Sequence, residues 1–70
     1  MPTPIDIGKK ISSLRWAKRL TQEELAKRIG TTTAAIGNYE AGIRVPKDSL
    51  KIAIAKELDA SVEEIFLPIK

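Results

Sequence analysis

Apolar residues recur along this chain at intervals of three and four positions and do not alternate with polar ones over any useful length. That period belongs to amphipathic helices, not strands. Ile7, Ile11, Leu14 and Lys18 fall on one stripe and predict a first helix over roughly 7–18, with Asp6 as its N-cap. Leu20 ends the link to a second helix. There Thr21 and Glu24 stand at capping-box spacing, Leu25, Ala26 and Ile29 form the buried face, and Gly30 closes the helix in a left-handed C-cap. Thr32 is the expected N-cap of a third helix, in which Ile36 and Tyr39 point inward with Ala35 beside them. Thr33, Ala34, Gly37 and Asn38 point outward, and Gly42 ends the helix. Pro46 sets Val45 in an extended conformation before a fourth helix at about 48–58. In that helix Leu50, Ile54 and Leu58 share one face while Ile52 lies well round from them. The helix is expected to start later than 48 or to be buried on two sides. Ser61 and Glu64 repeat the capping-box spacing, Val62, Ile65 and Phe66 make a short fifth helix, and Pro68 closes it.

The pattern therefore predicts an all-α fold of five helices, organised as a loose arm over residues 1–5, one domain over 6–67 and a tail over 68–70. Its most informative stretch is 21–40, two short capped helices joined by a tight turn at Gly30. That arrangement is a helix-turn-helix, whose second helix can lie in a DNA major groove.

Length limits what such a chain can do. Seventy residues make one domain, and a domain of this size buries only about 60% of its unfolded surface. Cysteine and histidine are both absent. There is thus no disulfide, no thiolate or imidazole metal ligand, and no imidazole base. Extra stability has to come from well-formed helix packing or from a second subunit. No apolar run reaches the length of a membrane span, and the N-terminal residues lack the features of a signal peptide. A location in the cytoplasm of a bacterium or phage-infected cell is expected, with no membrane partner and no cofactor.

The net charge of +3 is unevenly spread. Residues 1–47 carry nine Lys/Arg against four Asp/Glu, a net +5. Residues 48–70 carry three against five, a net −2. A basic N-terminal part suits a polyanion. Catalysis finds little support. The adjacent acids Glu23–Glu24 and Glu63–Glu64 diverge by about 100° around a helix and do not converge on one substrate atom. No base stands near Ser12–Ser13 or Thr31–Thr33, and the glycines stand alone at helix ends rather than in a phosphate loop. The chain is expected not to be an enzyme, and Trp16 is read as a packing residue.

Residues 7–67 resemble the Cro/repressor-type (XRE-like) helix-turn-helix family of phage and bacterial regulators. The resemblance rests on Ile7–Ile11, Leu14–Arg15, Leu20–Ala26, Ile29–Gly30, Ile36–Glu40, Gly42, Pro46, Ile54–Ala55 and Ser61–Phe66. It implies a compact five-helix, lambda-repressor-like domain that binds operator DNA, usually as a homodimer. It also implies roles. Gln22 and Thr32 would hold DNA phosphates, as would Arg44 after the third helix. Thr33, Ala34, Gly37 and Asn38 occupy the base-reading positions. Arg15 and Glu40 match a buried ion pair that fixes the recognition helix without touching DNA. The base-reading set departs from many relatives, which carry Gln, Arg or Ser there. Here only Asn38 has the bidentate chemistry for adenine, while Ala34 and the Thr33 methyl suit thymine methyl groups.

The leading expectation is a sequence-specific DNA-binding regulator of phage or prophage type, a Cro-like protein or small repressor. The alternative is an antirepressor that uses the same fold to bind a partner repressor. A homodimer contact is expected at Ile65, Phe66 and Leu67, an apolar cluster that one small core would not fully absorb.

Overall fold

The computed structural model describes residues 3–67. Five helices follow one another: α1 (Pro4–Ala17), α2 (Gln22–Ile29), α3 (Thr33–Glu40), α4 (Asp48–Glu57) and α5 (Val62–Phe66), with no strand among the described residues. Each helix contributes one fully buried aliphatic to the centre: Ile11, Leu25, Ile36, Ile54 and Ile65. Leu20, Ala26, Tyr39, Ala55, Leu58 and Phe66 close around them. No helix among the described residues is long and apolar enough to cross a membrane.

Caps set most helix boundaries. The Thr21 hydroxyl accepts from the Glu24 N–H at 3.0 Å, and the Glu24 carboxylate accepts from the Thr21 N–H at 2.8 Å, so the expected capping box is complete. Gly30 follows α2 at φ 75°, a left-handed conformation that only glycine adopts without strain. Thr32 caps α3 by accepting from the Ala35 N–H. At α5 the Ser61 hydroxyl accepts from the Glu64 N–H, the hydroxyl half of the expected box.

Helix α1 begins earlier than the apolar stripe predicts. Its N-cap is Thr3, not Asp6, and Asp6 is instead the third helical residue of a capping box with Thr3. Pro4 stands at the first helical position, where a missing N–H costs nothing. Residues 3–5 of the expected arm are thus the cap and first turn of α1. Residues 1 and 2, and the tail at 68–70 with Pro68, lie outside the described residues.

The two C-terminal helices also correct the pattern. Ile65 and Phe66 are 2% and 4% exposed, so two of the three residues expected at a dimer contact are core residues of this chain. The fifth helix plugs a core that the other four leave open, and this absorbs its apolar face. Only Leu67 of that trio is exposed. Ile54 and Ala55 in α4 and Leu58 at its C-cap are buried while Ile52 is exposed, so the helix neither starts later nor buries a second side.

Two hydrogen bonds from Thr21, the backbone N–H first and the hydroxyl second, hold the Glu24 carboxyl below its ordinary 4.5. A depressed folded value means that the stabilisation is fully present above the ordinary value and is lost as pH falls through the folded one. A carboxyl-resolved NMR titration is expected to place the Glu24 midpoint below 4.5, with thermal stability falling as the pH drops through it. Thr21→Ala removes the hydroxyl but keeps the backbone N–H, so the midpoint should move only part of the way back; an unmoved midpoint would remove the hydroxyl as a cause.

Candidate nucleic-acid interface

Helix α3 is short, well capped and held from behind. Ile36 and Tyr39 face the core. On the other side Thr33 and Ala34 are exposed, and Gly37 and Asn38 are half-buried. Spacings of three and four residues put Thr33, Ala34, Gly37 and Asn38 on one continuous face. The polar groups of this face are the Thr33 hydroxyl and the Asn38 amide. The rest is methyl and backbone, so a neighbouring surface can come close but meets few side-chain hydrogen-bonding groups.

Glu40 and Arg15 fix the back of this helix. Arg15 donates from Nε to Glu40 Oε2 at 2.6 Å, from Nη2 to Glu40 Oε1 at 3.1 Å, and from Nη1 to the Leu20 carbonyl at 2.7 Å. Their side chains are only 6% and 9% exposed, and no buried side-chain polar atom lacks a partner among the described residues. A bidentate pair of this kind is among the stronger charge-assisted contacts. The expected ion pair thus exists, and it ties α1 both to the end of α3 and to the link before α2.

Gly8 makes that geometry possible. A Cβ at Gly8 would lie 2.4 Å from the Glu40 carbonyl oxygen and 2.5 Å from that of Tyr39, so α1 and α3 meet backbone to backbone. The sequence reading gave Gly8 no role. The available signal was a glycine inside a helical apolar stripe, where it costs helix stability unless packing requires it. Gly42, at φ 78°, is a second such contact, because a Cβ there would meet Ile5 at 2.7 Å.

Gln22, the first residue of α2, does not project freely. Its Nε2 donates to Glu40 Oε1 at 3.0 Å, which places its side chain alongside α3. The backbone N–H groups at the start of α2 lack intrahelical partners and leave a local positive field there. The Thr32 hydroxyl, exposed at the start of α3, uses its oxygen as the cap and keeps its own hydrogen to donate. Arg44 is exposed on the loop after α3. Its N–H, at 3.4 Å, and that of Ile43, at 3.0 Å, both donate to the Asn38 carbonyl, so the loop is tied to the C-terminal end of α3. Trp16 is 68% exposed beside this assembly, with the Arg15 guanidinium 4.8 Å from its ring centroid. The structure therefore brings Thr32, Thr33, Ala34, Gly37, Asn38 and Arg44 to α3 and its flanks, with Gln22 against them. No cluster of His, Cys, Asp or Glu among the described residues has the makings of a metal site.

A family model described as helix-turn-helix matches residues 11–65. An uncharacterized HTH-type transcriptional regulator from Archaeoglobus fulgidus is 38% identical over 58 residues, covering 83% of this chain and 82% of that protein. Multiprotein-bridging factor 1 of Candida albicans is 35% identical over 77% of this chain, and an uncharacterized HTH-type regulator of Rickettsia conorii is 38% identical over 86%. The chain spans only 36% and 48% of the length of those two relatives. Among solved structures, the P22 c2 repressor in complex with a synthetic operator superposes with a TM-score of 0.83 at 25% identity, over 84% of this chain and 89% of that one. The restriction-modification controller protein C.AhdI from Aeromonas hydrophila gives 0.83 at 32% identity, over 90% and 91%.

Removing one member of the buried pair leaves the other charged and unpaired. Glu40→Ala is expected to cost about 3–5 kcal/mol, a large share of the stability of a domain this small. The double replacement Arg15→Met with Glu40→Leu should recover much of that loss. Urea denaturation of the three proteins checks it. A Glu40→Ala protein as stable as the parent would show that the pair does not hold α3.

Proposed function

The chain belongs to the helix-turn-helix family, and from that premise we propose that it is a sequence-specific, duplex-DNA-binding transcriptional regulator of the Cro or small-repressor kind, inserting α3 in the major groove. One observation carries this reading: a capped helix with a small, open outer face is locked from behind by the Arg15–Glu40 pair. Such a helix is rigid, closely approachable and flanked by groups that suit phosphate. Its fold is shared with a repressor solved on an operator.

The contacts divide by chemistry. The backbone N–H groups at the start of α2, the Thr32 hydroxyl and Arg44 hold the sugar-phosphate backbone. Asn38 reads a base edge, with adenine as its bidentate partner. Thr33 and Ala34 meet thymine methyl groups, and Gly37 lets the helix come near. So few polar groups make the readout A·T-leaning and leave a large share of the discrimination to groove shape. The regulator acts as a homodimer on two half-sites about 34 Å apart. With Ile65 and Phe66 inside the core, the contact between copies centres on Leu67, the exposed member of the trio.

Selection of bound sequences from a random duplex pool tests this reading. Enrichment of a two-fold-related, A·T-leaning site is expected, with affinity falling steeply as salt rises, by several log–log units. Asn38→Ala should relax preference at one position, while Arg44→Ala should weaken all duplexes alike. No enrichment, or binding weaker than about 10 μM at low salt, would contradict duplex recognition and favour a protein partner on the same face.

A further inference from the structure

The side chain of Gln22 has a fixed direction, and that direction has a chemical consequence. Glu40 is an acceptor on both oxygens, with Oε2 and Oε1 bonded to Arg15 and Oε1 also taking the Gln22 Nε2 hydrogen at 3.0 Å. A carboxylate so placed selects one of the two amide orientations. The nitrogen faces Glu40, and the carbonyl oxygen faces away from it, because the flipped amide would set oxygen against oxygen. The whole group is anchored, since Arg15 in turn is held by the Leu20 carbonyl.

The outward oxygen lies over the recognition helix. A Cβ built on Gly37 would meet only one atom within 4 Å, Gln22 Oε1, at 3.8 Å. The direction in which a side chain at position 37 would project is otherwise open. Gly37 shares its face with Thr33 and Ala34, both exposed. Gln22 thus reaches from α2 across the bare backbone of α3 and sets a lone acceptor where residue 37 offers no side chain.

We propose, on the basis of the duplex-binding reading above, that Gln22 is a specificity-determining residue: its carbonyl oxygen accepts a hydrogen bond from the exocyclic amino group of a base in the major groove. The bases that present such a donor there are adenine, through N6, and cytosine, through N4. Guanine and thymine present acceptors at the corresponding place. A fixed acceptor therefore separates amino from keto bases at one position of each half-site. Glu40 is the positioning residue for this contact, and Gly37 keeps its path clear.

The experiment measures binding of the whole protein to duplexes that carry each of the four bases at every position of a selected half-site, over a series of salt concentrations. It compares the parent with Gln22→Met, which keeps the length of the side chain but not its acceptor. Gln22→Ala is a second variant, and circular dichroism confirms helix content in each. The parent is expected to favour an amino base on the contacted strand by about fivefold at one position. Both variants should lose that preference there and keep the parent's salt slope. If they weakened every duplex alike and left the base preference unchanged, Gln22 would be a phosphate ligand and the proposal overturned. If they kept the amino preference, another residue would read that position, which overturns it equally. A parent that binds no duplex at all would refute DNA binding itself, an outcome recognisable before any variant is measured.

Discussion

The bond between Arg15 and Glu40 holds together what the five helices otherwise only bring near. It joins the last turn of α1 to the last residue of α3. Through the Leu20 carbonyl it reaches the link before α2, and through Gln22 it reaches α2 itself. All three elements of the candidate interface therefore take their relative positions from one nearly buried carboxylate. Such a pair is costly to desolvate and gives little net stability over apolar residues of the same volume. Its value lies in specifying one arrangement, because any shift of α3 would leave charges unsatisfied. The backbone contact at Gly8 enforces the same arrangement sterically, since Glu40 and Tyr39 carbonyls close over it.

The apolar core solves a different problem. One aliphatic from each helix meets at the centre, so no helix can leave without opening the core. This includes α5, whose Ile65 and Phe66 complete the packing instead of waiting for a second copy. Ion pairs on the outside reinforce the layout: Lys18, just after α1, pairs with Asp59 in the link between α4 and α5, and Arg28 reaches Glu57 from α2 to α4 at 3.5 Å. These are exposed or partly exposed and add little stability. With the scaffold fixed by core and pair, the outer face of α3 is free to be small. Thr33, Ala34, Gly37 and Asn38 contribute little to folding, which leaves their chemistry available for recognition.

Local signals were the legible part of the sequence. Threonine caps at 21 and 32, the glycine stop at 30 and the inward Ile36 and Tyr39 depend on residues within four positions of each other, and each appears as read. The Arg15–Glu40 pair spans 25 positions, and only the family resemblance made it visible. Features set by distant packing were not legible. The start of α1 was misplaced because its capping box uses Asp6 in place of the usual Glu or Gln. Gly8 matters only because α3 crosses it. Ile65 and Phe66 look like a spare apolar patch until the gap between α1 and α4 is known. The Gln22–Glu40 bond, across 18 positions, lays the Gln22 side chain against the end of α3, and no periodicity encodes that.

The central claim is that α3 and its flanks, held by one buried ion pair, form the surface that meets a DNA duplex. Backbone amide chemical-shift mapping during addition of a selected duplex tests it most directly. The account predicts large shifts at Gln22, at residues 32–38 and at Arg44, with α4 and α5 little changed apart from any contact at Leu67. Shifts concentrated on α4 and α5, with α3 unmoved, would contradict it.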